Sequence, residues 1–497
     1  MSLRSIFNFI PEVRKPEEKK VSFNVKLKWT IIILASFFIL ANIPLFGLSN
    51  NALERFKYLA IILGTQFGSI ISLGIGPIVM ASIILQLLTG SGIINIDQST
   101  AEGKKFFQGI QKLLVFFFII FEAIIYVMLQ GLQALPGLGW LVIIQLILGG
   151  LAIFYMDDLV QKWGFGSGVS LFIAAGVSWR LITQAFQFVN QQGQNCLLNF
   201  SGTGAVACPG RVLSLMQELI LQHPIEVVSA AAAIVATIVI FLAVVWAQSL
   251  KVEIPLSFGS GMYSNRGIRK GYGVKWPLSF FYAGVIPVIL TAALIANVQL
   301  FGGMVENAAA PCINPVVNST LVESACTGGA RVASWFTFLG SFSQGQAVSG
   351  LAFWMGSTNL LELIIRGGVL PKFIFQGLTH ILFFMILSTI FAVFWVKTSG
   401  QDSKSQAEKI AASGLQVAGF RQDIRILESI LDRYVMPLTI MGGATIGLLA
   451  ASTDLLGALV SGTAILLVIM IMFQLYQSIA QQHMTDMNPA FRKFMGG

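Results

Sequence analysis

Residues 74–79 read Gly74-Ile75-Gly76-Pro77-Ile78-Val79, and they divide an apolar stretch that would otherwise pass for one membrane span. Before them lies Phe56 to Ser72, with Arg55, Lys57 and Gln66 in or beside it; after them lies Ile78 to Gly90. A hydrocarbon core takes roughly 20 apolar residues of helix to cross, and neither piece reaches that length alone. Gly-Ile-Gly-Pro breaks a helix, whereas Pro77 suits the first position of a new one, where its missing N–H costs nothing. The pattern predicts a half-helix, a break at membrane depth and a second half-helix. Irregular backbone survives at that depth only inside protein or beside water. Ile75 and Val79, four residues apart, can both point at whatever the break faces. A kinked packing helix is the alternative reading.

The rest of the chain supports a membrane setting. Of 497 residues, 55% are hydrophobic and only 11% charged, against about 25% charged in soluble proteins. The polar, basic first 29 residues and the long first apolar run do not resemble a cleavable signal. Ten spans are predicted: Trp29 to Leu48, Phe56 to Gly90 with its break, Leu113 to Leu132, Gly139 to Tyr155, Ser167 to Val189, Glu226 to Gln248, Pro277 to Phe301, Phe373 to Val396, Val435 to Thr453 and Leu456 to Ala480. Counted with the N-terminus inside, 24 of the 31 Lys and Arg fall in the inner segments, so the positive-inside rule predicts that both ends are cytoplasmic. This distribution accounts for the net charge of +9 without invoking nucleic acid.

The cysteines agree. Cys196 and Cys208 share the outer loop after the fifth span, and Cys312 and Cys326 the outer loop after the seventh. Disulfides belong on the oxidising face, so pairing within each loop is expected; four free thiols are the alternative. The glycosylation-type triplets Asn199-Phe200-Ser201 and Asn318-Ser319-Thr320 lie in the same loops. Ten spans divide into five (29–189) and five (226–480), joined by an outer loop at 190–225. Halves with an odd number of spans are inverted relative to each other, and such repeats place the working pathway at their interface.

Residues that could carry chemistry are few. There is no metal-ligand spacing, phosphate loop or catalytic triad, so no enzyme and no cofactor is expected. His223, His380 and His483 are scattered, and a packed role suits His380 better than a ligand role. Glu122 is the one acidic residue deep within a predicted span. It should face protein or a cavity, since insertion there costs roughly 2.5–3.5 kcal/mol. Gln86 and Asn297 are its possible partners, in what is otherwise a structural polar cluster. A secondary transporter of small solutes would need several ionisable groups at the midplane. A passive conduit needs an apolar constriction instead, and the sequence favours it.

Gly74 to Gly92, Gly-Ile-Gly-Pro-Ile-Val-Met-Ala-Ser-Ile-Ile-Leu-Gln-Leu-Leu-Thr-Gly-Ser-Gly, strongly resembles the SecY family, the large subunit of the Sec protein-conducting channel. Further matches are Phe107-Gln108-Gly109, Phe121-Glu122-Ala123, Gly166-Ser167-Gly168 with Leu171 to Val177, Val252-Glu253-Ile254-Pro255-Leu256 and Ile286-Pro287-Val288-Ile289-Leu290. The likeness covers nearly everything but the two outer loops and is nearer the archaeal and eukaryotic branch. It implies an all-α clamshell of two inverted five-helix halves and a passive pore for unfolded polypeptides, with lateral release of apolar segments into lipid. The implied pore ring is Ile75, Val79, Val169, Ile173, Ile289 and Leu466. A plug is implied over 56–70, with Phe56, Leu59, Ile62, Gln66 and Ile70. A lateral gate between the second and seventh spans is implied at Gln86, Glu122 and Asn297, where Met80 replaces a small polar residue.

The resemblance also implies ribosome docking through the cytoplasmic loops 249–276 and 397–434, at Arg266, Arg269, Lys270, Lys404, Arg421 and Arg425, with Lys251, Lys275 and Lys409 nearby. Their charge suits rRNA phosphates; the positive-inside rule alone would supply some of it. Cytoplasmic segments at 1–28 and 481–497 complete the layout. The implied partners are a SecE-like small subunit, a second small subunit of the SecG or Sec-beta kind, the ribosome, signal sequences with their nascent chains, and lipid. The implied setting is the plasma membrane of a prokaryote, an archaeon in particular, with the endoplasmic reticulum as the other possibility.

Overall fold

Apolar segments in lipid must close their own backbone hydrogen bonds, because the bilayer core offers no partner. Helices accordingly dominate the computed structural model, which describes residues 12–17, 21–51, 66–94, 96, 101–129, 131–190, 194–198, 200, 206–258, 273–309, 338–340, 342–343, 346–412, 415–417 and 424–487. They are α1 (Phe23–Ala41), α2 (Gly76–Gly90), α3 (Ala101–Met128), α4 (Gly139–Trp163), α5 (Gly168–Phe186), α6 (Arg211–Leu221), α7 (Pro224–Gln248), α8 (Ile286–Ala309), α9 (Gly350–Met355), α10 (Leu360–Ile365), α11 (Pro371–Thr398), α12 (Ser403–Ala412), α13 (Ile424–Leu455) and α14 (Gly462–Met487). Among the described residues, nine helices are long and apolar enough to cross a membrane: α1, α3, α4, α5, α7, α8, α11, α13 and α14. The 15-residue α2 is a shorter apolar helix. The membrane-spanning part is therefore all-α and polytopic.

Several predicted edges are corrected. The first span begins at Phe23, not Trp29, and ends at Ala41, because Pro44 follows and the chain turns into β1 (Leu48–Asn51), which pairs antiparallel with β2 (Leu132–Ala134). The seventh span begins at Ile286, not Pro277. Residues 273–279 form β4 (Gly273–Ser279), paired antiparallel with β3 (Lys251–Phe258), and Pro277 lies opposite Glu253. Val252, Ile254, Leu256 and Phe258 alternate with polar or Pro residues, the period-2 signature of a strand. The tenth span begins at Gly462, since 456–461 is a turn in which Gly457 has φ +60°. The third and ninth helices extend to Ala101 and Ile424.

Among the described residues, two hydrophobic cores result. The larger joins residues of α1 to α5, α7, α8, α11, α13 and α14. The smaller packs Ile254 and Leu278 of the hairpin against Val396 of α11, Ala407 and Ile410 of α12, and Leu427, Leu431 and Val435 of α13. β5 (Leu415–Val417) adds to β3, so the sheet order is β4-β3-β5. Small residues let helices approach closely. A Cβ at Gly443 or Gly447 of α13 would stand within 3.0 Å of α11, at Ala392 and Met385 respectively.

The segment before α1 is tied to the helix ends beside it. Asp158 accepts from the Val13 N–H at 3.0 Å, Lys162 donates to the Val13 carbonyl at 2.7 Å, and Trp163 Nε1 donates to the Arg14 carbonyl at 2.9 Å. Lys112 of α3 pairs with Glu12 at 2.6 Å. The Lys112 hydrogen bond and charge hold the Glu12 carboxyl below its ordinary value; partial burial opposes this and Lys162 adds to it. A carboxylate depressed in the docked state stabilises docking above its free pKa, and the contribution disappears as pH falls through the docked one. Exchange of the Val13 amide, which is bonded to Asp158, corrected for its intrinsic rate, is therefore expected to be slow at neutral pH and to accelerate on acidification below the ordinary glutamate range. Lys112→Gln should abolish that acid step; an unchanged step would assign it to another group.

Candidate functional site

The stretch before α2 is irregular and buried. Residues 66–75 run as turns, not as the end of a half-helix, which corrects the prediction of helix up to Ser72. Gly68 and Gly74 have φ of +93° and +55°, a region that disfavours side chains. Hydroxyls take over the local hydrogen bonding: Ser69 Oγ donates to Gln66 O at 2.7 Å, and Ser72 Oγ accepts from Gly68 N at 2.9 Å. The stretch docks on the chain after α1, with Ile70 N donating to Ile43 O at 3.0 Å and Leu45 N to Gly68 O at 2.9 Å. Ile71, Ser72, Leu73 and Ile75 are fully buried. Irregular backbone enclosed by protein is what the lack of hydrogen-bond partners in lipid demands. Of the plug residues, Gln66 and Ile70 lie in these turns; Phe56, Leu59 and Ile62 lie outside the described residues.

All six candidate ring residues belong to one hydrophobic cluster, with Val169 partly buried and the other five at most 3% exposed. Each comes from the start of a helix. Ile75 caps α2, and its carbonyl accepts from Val79 N at 3.0 Å, so the two are one turn apart. Val169 and Ile173 lie in the first turns of α5, Ile289 in that of α8 and Leu466 in that of α14. α2 touches α8, α8 touches α14 and α14 touches α5. A helix start leaves N–H groups without partners. Pro77 and Pro287 remove one each from α2 and α8, at a position where proline fits the helix.

Glu122 and Gln86 are buried but not joined. A Cβ at Gly76, the first residue of α2, would stand 3.1 Å from Glu122 Oε2. Gln86 is ten residues further along α2, about 15 Å at 1.5 Å per residue. Among the described residues, neither Glu122 oxygen nor Gln86 Oε1 has a hydrogen-bond partner, and Asn297 Nδ2 donates to Ala293 O of its own helix at 2.9 Å. The expected partnership of Gln86 and Asn297 with Glu122 is thus corrected: antiparallel α2 and α3 bring Glu122 to the start of α2 and leave Gln86 near its end. The Glu122 carboxyl group stands beside the first residue of α2 instead.

The remaining candidates are distributed. Cys196 and Cys208 form a disulfide; Cys312 and Cys326 lie outside the described residues. Lys404 and Lys409 sit on α12 and Arg425 on α13, while Arg266, Arg269, Lys270 and Arg421 lie outside the described residues. The two basic loops meet, since Leu256 pairs with Val417 and Phe258 with Leu415. His380 is packed, its Nδ1 donating to Met355 O at 2.7 Å. Asp157 and Asp454, which sequence reading passed over, lie near the ends of α4 and α13. Asp157 accepts from Val169 N at 3.0 Å and Asp454 from Thr463 N at 2.7 Å. Their only local signal is a Ser-Gly pair opening the next helix, Ser167-Gly168 and Ser461-Gly462.

Comparison with known proteins matches this architecture. A family model described as SecY aligns with residues 69–476. The protein translocase subunit SecY of Methanothermobacter thermautotrophicus is 40% identical over 492 residues, 99% of this chain and 98% of that protein. That of Methanocaldococcus jannaschii is 35% identical over 492 residues, with the same coverage of 99% and 98%. The solved structure of a protein-conducting channel superposes with a TM-score of 0.76 at 33% identity, covering 98% of both chains. Sec61 in the canine ribosome–channel complex from the endoplasmic reticulum does so with 0.72 at 31%, also covering 98% of both. Matched from end to end by such relatives, the chain belongs to the SecY family, as a large subunit of the Sec protein-conducting channel on its archaeal and eukaryotic branch.

Proposed function

We propose that this channel subunit conducts unfolded polypeptides through a waist formed by Ile75, Val79, Val169, Ile173, Ile289 and Leu466. The observation that supports the reading is that these side chains, from four helix starts, all belong to one apolar cluster at the core of the bundle. Aliphatic side chains around a narrow opening give water few partners, so the waist dries when empty. They present no fixed donor or acceptor to a sliding chain, so any sequence can pass. Residues 56–70 close the pore as a plug. The contact between α2 and α8 is the lateral gate, and the unpaired acceptors of Glu122 and Gln86 offer bonding to a chain that parts it. The two halves, 29–189 and 226–480, are inverted repeats that open as a clamshell, with both termini cytoplasmic in a prokaryotic, archaeal plasma membrane. A SecE-like subunit and a second small subunit complete the complex.

Reconstitution tests the function. The purified complex in vesicles should move a signal-bearing polypeptide into the lumen when a partner drives it, with no accompanying uptake of small solutes. Solute flux without polypeptide transport would favour the transporter alternative.

Two finer readings have their own tests. The basic loops dock on the ribosome. Reversing Arg421 and Arg425 to Glu should weaken ribosome binding and flatten its dependence on salt, because fewer counterions are released. Unchanged binding across a salt titration would leave these residues a role in topology alone. In the outer loop after α8, Cys312 pairs with Cys326; non-reducing peptide mapping should recover that link, and free thiols would reject it.

A further inference from the structure

The starts of α5 and α14 are built alike. Each helix opens with a Ser-Gly pair, and each serine carbonyl accepts the first helical bond, Leu171 N to Ser167 O and Ile465 N to Ser461 O, both at 3.1 Å. Serine is a favoured capping residue, yet among the described residues neither hydroxyl caps its helix: Ser167 makes no capping bond and Ser461 Oγ has no hydrogen-bond partner. A carboxylate from the preceding helix does so instead. Asp157 of α4, 6% exposed, accepts from the Val169 N–H at 3.0 Å. Asp454 of α13, with its side chain 8% exposed, accepts from Thr463 N and from Thr463 Oγ1.

Both glycines are required by this closeness. A Cβ on Gly168 would stand 2.6 Å from Asp157 Cα, and one on Gly462 would stand 2.2 Å from the carbonyl carbon of Thr453, the residue before Asp454. Each carboxylate also has a neighbour. For Asp157 that neighbour is Gln161, which donates at 2.8 Å; for Asp454 it is only a close approach, with His380 Nε2 at 3.6 Å and no hydrogen bond between them. The same device thus stands at the fourth-to-fifth junction of one half and at the ninth-to-tenth junction of the other, and the two capped helices pack against each other.

We infer that Asp157 and Asp454 are positioning residues that set how far α5 and α14 project, and through them the heights of Val169 and Ile173 against Leu466 at the waist. The inference rests on the ring reading above. Loss of a buried hydrogen-bonded carboxylate removes the fixed partner of the helix-start N–H, which frees the helix to slide or tilt. The two caps sit in inverted halves, so they hold the ring from two independent anchors. Loss of either should loosen it.

The experiment is resting ion conductance of the intact complex in planar bilayers, counted only for preparations that still transport a preprotein. Asp157→Ala and Asp454→Ala should each raise resting conductance about tenfold, the scale of one lost charge-assisted hydrogen bond. Asp157→Asn and Asp454→Asn, which keep an oxygen acceptor, should remain within about twofold of the parent on the same scale. Asp158→Ala is the control: it removes the adjacent acid, which binds Val13 and Lys162 rather than α5, and should not leak. Tight Ala variants beside a leaking Ile75→Asn channel would overturn the cap inference alone. Tight Ala variants beside a tight Ile75→Asn channel would overturn the ring reading with it. A leak from Asp158→Ala equal to that of Asp157→Ala, or from the Asn variants equal to the Ala variants, would reduce the caps to general stability and also overturn the inference.

Discussion

Ile75→Asn is expected to conduct ions at rest and to accept substrates with weakened signal sequences. Ile75 is fully buried where the irregular stretch meets α2. Burial of an isoleucine side chain is worth roughly 1.5–3 kcal/mol. A carboxamide left there without partners costs about 1–3 kcal/mol more. Since about 1.4 kcal/mol is a factor of ten, the closed arrangement should lose at least an order of magnitude of its advantage. The wetted ring should then pass ions. Leu87, on the same helix, 39% exposed and outside the proposed ring, supplies the control: Leu87→Asn leaves the buried cluster intact and should leave conductance near that of the parent. Equal leak from both variants, or from neither, would remove Ile75 from the waist.

Gly149→Ala should have the largest effect on stability. Gly149 lies in α4, and a Cβ there would stand 1.9 Å from the Ile70 carbonyl oxygen and 3.0 Å from Ile70 Cγ2. The obstacle is backbone, which no rotamer change can remove. It is also the backbone of the turn that docks on Ile43 and leads into Ile75. Overpacking of this kind costs about 3 kcal/mol or more. The displaced turn should carry the ring residue with it, so a lower thermal midpoint and a raised resting conductance are expected together. Gly176, on α5, has nothing within 4 Å of an added Cβ. There, Ala should be neutral or gain up to about 1 kcal/mol of helix propensity. A Gly149→Ala complex as stable as Gly176→Ala would mean that 66–75 yields readily, and its anchoring role would be lost.

The features that were legible in the sequence are those whose physics is local. The run lengths of apolar residues located the helices, because a bilayer admits only segments that satisfy their own backbone. Gly74 and Pro77 announced the break, because one adopts φ +55° and the other can only begin a helix. The edges failed where the competitor was another segment. Pro277 read as span because nothing nearby said that residues 273–279 would find β3. Ser69 and Ser72 read as helix because their hydroxyls could as well have bonded back within one.

Sequence alone determined that this chain is a membrane channel of many apolar helices. Lipid imposes that pattern residue by residue, and the family's motifs are continuous stretches. Tertiary structure alone decided what each buried polar group does. Glu122 lies against Gly76 rather than Gln86 because α2 and α3 run antiparallel with a register no local pattern encodes. Asp157 and Asp454 sit near helix ends, where an acid is ordinarily just solvated. They became caps only because the next helix folds back within hydrogen-bond reach at Val169 and Thr463. The energy of a buried hydrogen bond depends on a separation of a few tenths of an ångström between groups from different elements, and that distance is set by the packing of the whole bundle.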